Sequence, residues 1–234
     1  MNPTLNRNHH IIGLTGPAGS GKDTAADLLA VHAGFTKLAF ADTLRAEVVN
    51  AFLIDPAFLT ERETKEQPMR CLALSRCLDD GFVVRMVLMH TARNEPLSLD
   101  APRSPRQIMQ WWGTDYRRHQ HADYWVSQTA RKIDRLLSQG LASRIVVTDC
   151  RFADEAALVR ALGGQLWQIK RDDVGVAPGA HESEVTGEAF APEVVLNNSY
   201  TVKHFQERVL EAYWTSCAGL APGTVKVRIS GEVA

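Results

Sequence analysis

The sequence is short of several things that would settle its class at once. Four cysteines, Cys71, Cys77, Cys150 and Cys217, include no CxxC pair. A chain of 234 residues does not need disulfides to hold a core, so reduced thiols and no structural zinc are expected. No apolar run approaches the length of a membrane span, and the first is interrupted by His9 and His10 instead of forming a signal-peptide core. A soluble, cytoplasmic protein without a membrane partner is the expectation. Net charge is nearly absent at −1, which leaves no broad field to hold a nucleic-acid backbone. Any anion recognised here must be met by a local cluster of donors, and the partner is expected to be a small molecule. Internal repeats and low-complexity tracts are missing too. What is there, 45% apolar and 23% charged residues, suits a compact α/β chain with a sizeable core and excludes disorder of the whole.

Strand-like runs alternate with helical patterns. "HIIGLT" (10–15) is followed at once by a helix with Ala25, Leu28 and Leu29 on one face. "FTKLAF" (35–40) precedes "ADTLRAEVVNAFL", where Leu44, Val48 and Phe52 recur at helical spacing. Residues 55–103 hold four prolines among many charges and read as a helical insertion, with "FVVRMVLMHTA" its helix. Ser104 should cap a helix that Pro105 opens and Gly113 ends. The stripe Val126, Ala130, Ile133 and Leu137 marks another helix, followed by the buried strand "RIVVTD" (144–149). The helix "ADEAALVRALGG", the strand "QLWQIK", a loop or lid over 171–192, the strand "EVVLNN" and a helix over 201–216 complete the chain. This alternation argues for a parallel sheet covered on both faces, with ligands at the carboxyl ends of the strands.

"GPAGSGKDT" (16–24) has the spacing of a phosphate-binding loop: Gly16, four residues, Gly21, then Lys22. A glycine-rich turn between strand and helix lets backbone N–H groups of residues such as Ala18, Gly19 and Ser20 point at phosphate oxygens, while the helix N-terminus adds a favourable dipole. Lys22 would reach the β and γ phosphates. Asp23 stands where a hydroxyl usually contacts Mg²⁺, and Thr24 supplies one a residue later. In this the loop is similar to that of the adenylate kinases. Asp23 can face a metal or complement the helix start, and the sequence leaves both open.

Three further clusters follow strands. "TDCRF" puts Asp149 at the end of a buried strand, fit to organise Mg²⁺, and Arg151 two residues on, fit to grip a phosphate bidentately. The alternatives are a helix cap for Asp149 and a surface ion pair for Arg151. "FADTLR" places Asp42 and Arg45 just beyond the second strand. "RQIMQWWGTDYRR" offers Arg117 for a second phosphate, with Gln110, Trp111 and Asp115 as candidates for reading or stacking a base, although tryptophans on a helix are as often core. Arg171 and "HESE" (181–184) are the candidates for closure, His181 the weaker.

As an ordered set, "LTGPAGSGKDTAADLL", "FADTLR", "RQIMQWWGTD", "DCRFADEA", "KRDD" and "HESE" resemble the deoxynucleoside monophosphate kinases of the bacteriophage type, over roughly residues 10 to 210. The resemblance implies a three-layer P-loop NTPase of the nucleoside monophosphate kinase type with a parallel five-stranded sheet. It would form one kinase domain over 1–234, its core about 10–54 and 104–216, with the insertion and the lid. It implies ATP and Mg²⁺ as cosubstrate and cofactor, and conversion of a deoxynucleoside monophosphate to its diphosphate. Lys22, Arg151 and Asp149 become the catalytic candidates, Asp149 and Asp23 the metal candidates. Residues 16, 18–24 and 171 would bind ATP; Asp42, Arg45, Gln110, Trp111, Asp115, Arg117 and Arg151 would bind the acceptor. The rivals are another small-molecule P-loop kinase resembling dephospho-coenzyme A kinase, and a P-loop protein that binds ATP without transferring phosphate. Base preference, ribose exclusion and dimerisation are left open.

Overall fold

A computed structural model describes residues 9–216, apart from 62 and 173–190. The "HESE" segment and most of the expected lid lie outside the described residues. The chain divides into two compact units, one made of residues up to Ala39 and from Ala130 onward, the other of Phe40–Thr129.

The first unit carries the sheet. Strands β1 (His10–Thr15), β2 (Thr36–Leu38), β3 (Arg144–Val147), β4 (Gln165–Lys170) and β5 (Val194–Asn197) are all parallel, in the order β2-β3-β1-β4-β5. Register sets Ile11 beside Ile145 and Leu14 beside Trp167. Alternate residues of a strand face opposite sides, and β1 shows both. Ile12 and Leu14 pack with α1 (Lys22–Ala33) and α8 (Val202–Ser216) through Ala25, Leu29, Phe205, Val209 and Tyr213. Gly13 between them faces Val159 of α7 (Ala153–Ala161) and the Cys150 thiol, where a side chain would have no room. Helices thus cover both faces, as the alternation of patterns requires.

The second unit is helical: α2 (Phe40–Phe52), α3 (Ala57–Thr60), α4 (Asp80–Ala92) and α5 (Pro105–Gln110), with the division of the chain falling inside α6 (Tyr124–Ser138). Its core gathers Val48, Phe52, Leu59, Leu72, Phe82, Met86, Ile108, Trp112, Tyr116 and Trp125. The unit is wider than the expected insertion, because α2 and residues 104–129 bury their apolar faces in this core. The α5 start agrees with the sequence: Ser104 Oγ accepts from Gln107 N at 3.2 Å and Pro105 opens the helix. Its end does not. Gly113 does not stop the helix, which widens into a π-helical stretch over Trp111–Arg118. Trp112 and Tyr116, on either side of Gly113, are both anchored in the core, and Trp125 Nε1 donates to the Gly113 carbonyl at 3.1 Å. Tertiary packing here overrides the glycine, at the cost of helix regularity.

Candidate functional site

β1 runs straight into the glycine loop. Gly16 has φ +138° and lies so close to the Ile169 carbonyl of β4 that a Cβ would collide with it. Gly21, the residue before α1, has φ +105°. Both positions therefore demand glycine for conformation and for space. Lys22 folds back over the loop, its Nζ donating to the carbonyls of Gly16 and Pro17 at 2.7 Å each. The hydroxyls of Thr15 and Ser20 are fully buried at the loop's base with no hydrogen-bond partner among the described residues. A buried hydroxyl left so is costly, and a water, an ion or a ligand oxygen would relieve it. Asp23 and Thr24 are exposed in the first turn of α1.

Asp149 and Arg151 join this loop in the same unit. Past the end of β3, Thr148 N donates to Leu38 O at 2.9 Å and Cys150 N to Leu14 O at 3.0 Å. Asp149 is thereby held beside the last residues of β1. Arg151 follows with an exposed side chain, while its backbone is fixed by Glu155, whose Oε2 accepts from Arg151 N at 2.8 Å and Phe152 N at 3.2 Å. Glu155 is almost wholly buried in the first turn of α7. Burial, and then the neighbouring charges of Asp149 and Glu155, push the Cys150 thiol well above its ordinary pKa. This favours the protonated thiol, the less nucleophilic form. Arg171 lies exposed just past the end of β4, at the same carboxyl edge of the sheet.

The other candidates belong to the second unit. Arg45 Nη1 donates to Asp42 Oδ1 at 3.2 Å, and its Nε is buried with no hydrogen-bond partner among the described residues. Both residues line a hollow of about 350 Å³ with Ala46, Val49, Asn50, Pro56 and Thr60. Arg117 does not join them. Its Nε donates to Glu47 Oε2 at 2.8 Å, and its guanidinium lies 4.6 to 5.4 Å from the ring centres of Tyr116, Tyr124 and Trp112. Glu47 and Arg45 are two residues apart on α2, so they leave it on nearly opposite sides. Burial draws the Arg117 pKa down, but the Glu47 hydrogen bond and charge outweigh it and hold the guanidinium more firmly charged than usual. Trp111 is half-buried between the His90 ring and the Arg103 guanidinium. Asp115 uses its carbonyl to accept from Arg85 Nε at 3.0 Å, and Gln110 closes α5.

No protein-family profile matches the chain. A protein of Acanthamoeba polyphaga mimivirus named "Putative deoxynucleotide monophosphate kinase" is 28% identical over 211 residues, 86% of this chain and 94% of that protein. The family resemblance read from the motifs holds. Among solved structures, TT1252 from Thermus thermophilus aligns over 90% of this chain and 98% of its own, at 19% identity and a TM-score of 0.46. Dephospho-CoA kinase from Campylobacter jejuni aligns over 91% and 99%, at 12% identity and a TM-score of 0.46. Five parallel strands in the order found here, with the glycine loop after the central one and helices on both faces, make an α/β fold of the P-loop type.

Three residues of the structure escaped the sequence reading. Glu155 stands at the third helical position, from which a carboxylate reaches back to the backbone before a helix, and that spacing was a usable signal. Asn198 follows strand "VVLN" at the same edge as the other clusters, and donates to the loop. Glu47 had no signal, because nothing in a helical pattern tells which polar residue will be met by three donors.

Proposed function

We propose that the chain transfers the terminal phosphate of ATP to the phosphate of a deoxynucleoside monophosphate, giving the diphosphate and ADP. One observation carries this reading: the glycine loop, with its two buried orphan hydroxyls, stands beside Asp149 and Arg151 at one sheet edge. The likeness to the mimivirus protein supports the choice of acceptor.

An acceptor phosphate oxygen is already ionised at neutral pH, so no strong base is needed. The difficulty lies in bringing two polyanions together in line and keeping water out. Backbone N–H groups of the loop hold the ATP phosphates, and Lys22 leaves the Gly16 and Pro17 carbonyls to neutralise charge on the migrating group. Arg151, its backbone pinned by Glu155, holds the acceptor phosphate, and Arg171 is assigned to the ATP side. Asp42 and Arg45 in their hollow, with Gln110, Trp111 and Asp115, are the residues of the second unit assigned to the acceptor. Arg117 is assigned to that unit's framework through Glu47.

Magnesium fits the first unit's donors. Asp149 and Thr24 are oxygen ligands of the kind a hard cation takes, and the orphan hydroxyls of Thr15 and Ser20 supply further oxygens or water anchors. Asp149 would hold it, and the ion would neutralise phosphate charge when bound. Asp23 is assigned to the positive end of α1.

The test is ADP release from ATP and Mg²⁺ against a panel of deoxy- and ribonucleoside monophosphates, with dephospho-coenzyme A and a no-acceptor control. Turnover with at least one deoxynucleotide above the control is expected. Turnover with dephospho-coenzyme A alone would replace the reading with transfer to an alcohol, and ATP binding without any turnover would leave a nucleotide binder.

A further inference from the structure

Asn198 lies just past β5, the edge strand on the far side of β4 from the loop, and no catalytic cluster contains it. Its backbone is fixed from several directions. Asn198 N donates to Lys170 O at 2.7 Å, Asn197 Oδ1 accepts from Ser199 N at 2.8 Å, and Ser199 Oγ accepts from Asp172 N at 2.9 Å. From this anchored turn the Asn198 side-chain amide donates to the Ser20 carbonyl at 2.8 Å. The same amide nitrogen occupies the space a Cβ on Gly21 would need, so Gly21 is glycine as much because of Asn198 as because of its φ.

The Ser20 carbonyl and the Gly21 N–H belong to one peptide unit. In a planar trans peptide they point in opposite directions. Drawing the carbonyl toward β5 therefore turns the Gly21 N–H away from β5, toward the side of the loop on which β3 carries Asp149 and Arg151. One of the two torsions that turn this peptide is the φ of Gly21, which glycine leaves with little resistance of its own, so without an outside hold the peptide could rotate and present its carbonyl to a phosphate.

We infer that Asn198 is a positioning residue for ATP: by pinning the Ser20 carbonyl it fixes the Gly21 N–H as a phosphate donor. The inference rests on the phosphoryl-transfer reading, since it presumes a phosphate in the loop. Asn198 touches no reacting atom. It acts on nucleotide affinity and leaves acceptor binding alone.

The experiment compares full-length wild type with Asn198→Ala, Asn198→Asp and Asn198→Ser, using calorimetric titration with Mg²⁺–ADP, separate KM values for ATP and the acceptor, and a thermal melt. For Asn198→Ala the ADP affinity should fall roughly tenfold and KM for ATP rise similarly, with acceptor KM and kcat at saturating ATP within about twofold. Asn198→Asp should lose more, because a carboxylate lacks the donor and repels both the Ser20 carbonyl and the nucleotide. Asn198→Ser, which keeps a short donor, should recover part of the affinity and decides the matter should the alanine variant not fold. An amide resonance of Gly21 that shifts with ADP in wild type should respond less in the alanine variant. ADP affinity within twofold of wild type in folded variants would overturn the inference while sparing the reading. Equal losses for ATP and acceptor would also overturn it, making Asn198 a general structural residue. Failure of wild type itself to bind ADP, as with a Lys22→Ala control, would instead sink the nucleotide site and this inference with it.

Discussion

The two units differ in how their buried polar groups are answered. In the second, Glu47 accepts from Trp112 Nε1, Arg117 Nε and Tyr124 O–H at 2.5 to 2.8 Å, and Asp79 accepts from Phe82 N and the Tyr116 O–H. Burial and these carboxylates raise the pKa of both tyrosines, which keeps them as donors. Charge and ring are answered inside the unit. In the first, the hydroxyls of Thr15 and Ser20 are buried at the loop with no partner among the described residues, while Lys22 and Asn198 hold backbone carbonyls of the same loop. A network satisfied by the chain itself holds a fold together, and one with places left over has room for water, an ion or a ligand. Arg45 and Arg103 are the exceptions in the second unit, each with an Nε buried without a hydrogen-bond partner among the described residues, and Arg45 lines the hollow.

The contrast breaks most visibly at Lys22. On the proposed reading Lys22→Ala removes the loop's lysine, which would neutralise charge on the migrating phosphate, and activity should fall on the order of a thousandfold or more. Stability should barely move, since the helix N-terminus keeps its backbone bonds, Ala25 N to Gly21 O at 3.0 Å among them. Initial rates with ATP and the best acceptor, beside a thermal melt, measure both. Near-normal turnover would mean that the loop serves some other purpose.

How much of this was legible in the sequence depends on whether a feature is local. The strand, glycine loop and helix at 10–33 are a local pattern, and so is the Ser104 cap, and each was read where it stands. Gly113 was misread because its neighbours Trp112 and Tyr116 are held by residues far off in sequence, Phe82 among them. The pattern at 106–118 showed arginines and aromatics together, which suits either a ligand or an aromatic sheath around a cation. Only the partner, Glu47, 70 residues away from Arg117, favours the second.

Glu47→Gln sharpens the comparison from the other side. The amide keeps one acceptor oxygen for three donors and loses the charge beside Arg117. Stability should drop by about 2 kcal/mol, or a fall in Tm of roughly 4–8 °C. Turnover per folded molecule should stay within about twofold. Denaturant unfolding with kinetics on the folded fraction checks both numbers. An unchanged midpoint with a raised acceptor KM would show that Arg117 is held in readiness for the acceptor, and the division between framework and site would have to be redrawn.

The smallest effect is expected at Asp23, where the loop departs from the usual hydroxyl. Its side chain is exposed in the first turn of α1, next to the positive end of the helix. There a carboxylate contributes about 0.3–1 kcal/mol, screened by salt. Asp23→Ser gives up that contribution and puts a hydroxyl after Lys22, while leaving the glycines, Thr24 and Asp149 in place. Mg²⁺–ADP affinity and kcat should therefore stay within about threefold, with a slight loss of thermal stability that shrinks as salt is added. A collapse of transfer with ADP binding intact would move Asp23 from the helix end to the metal's surroundings. The loop would then carry a carboxylate as part of its chemistry, and the line between satisfied and unsatisfied groups would run through the first turn of α1.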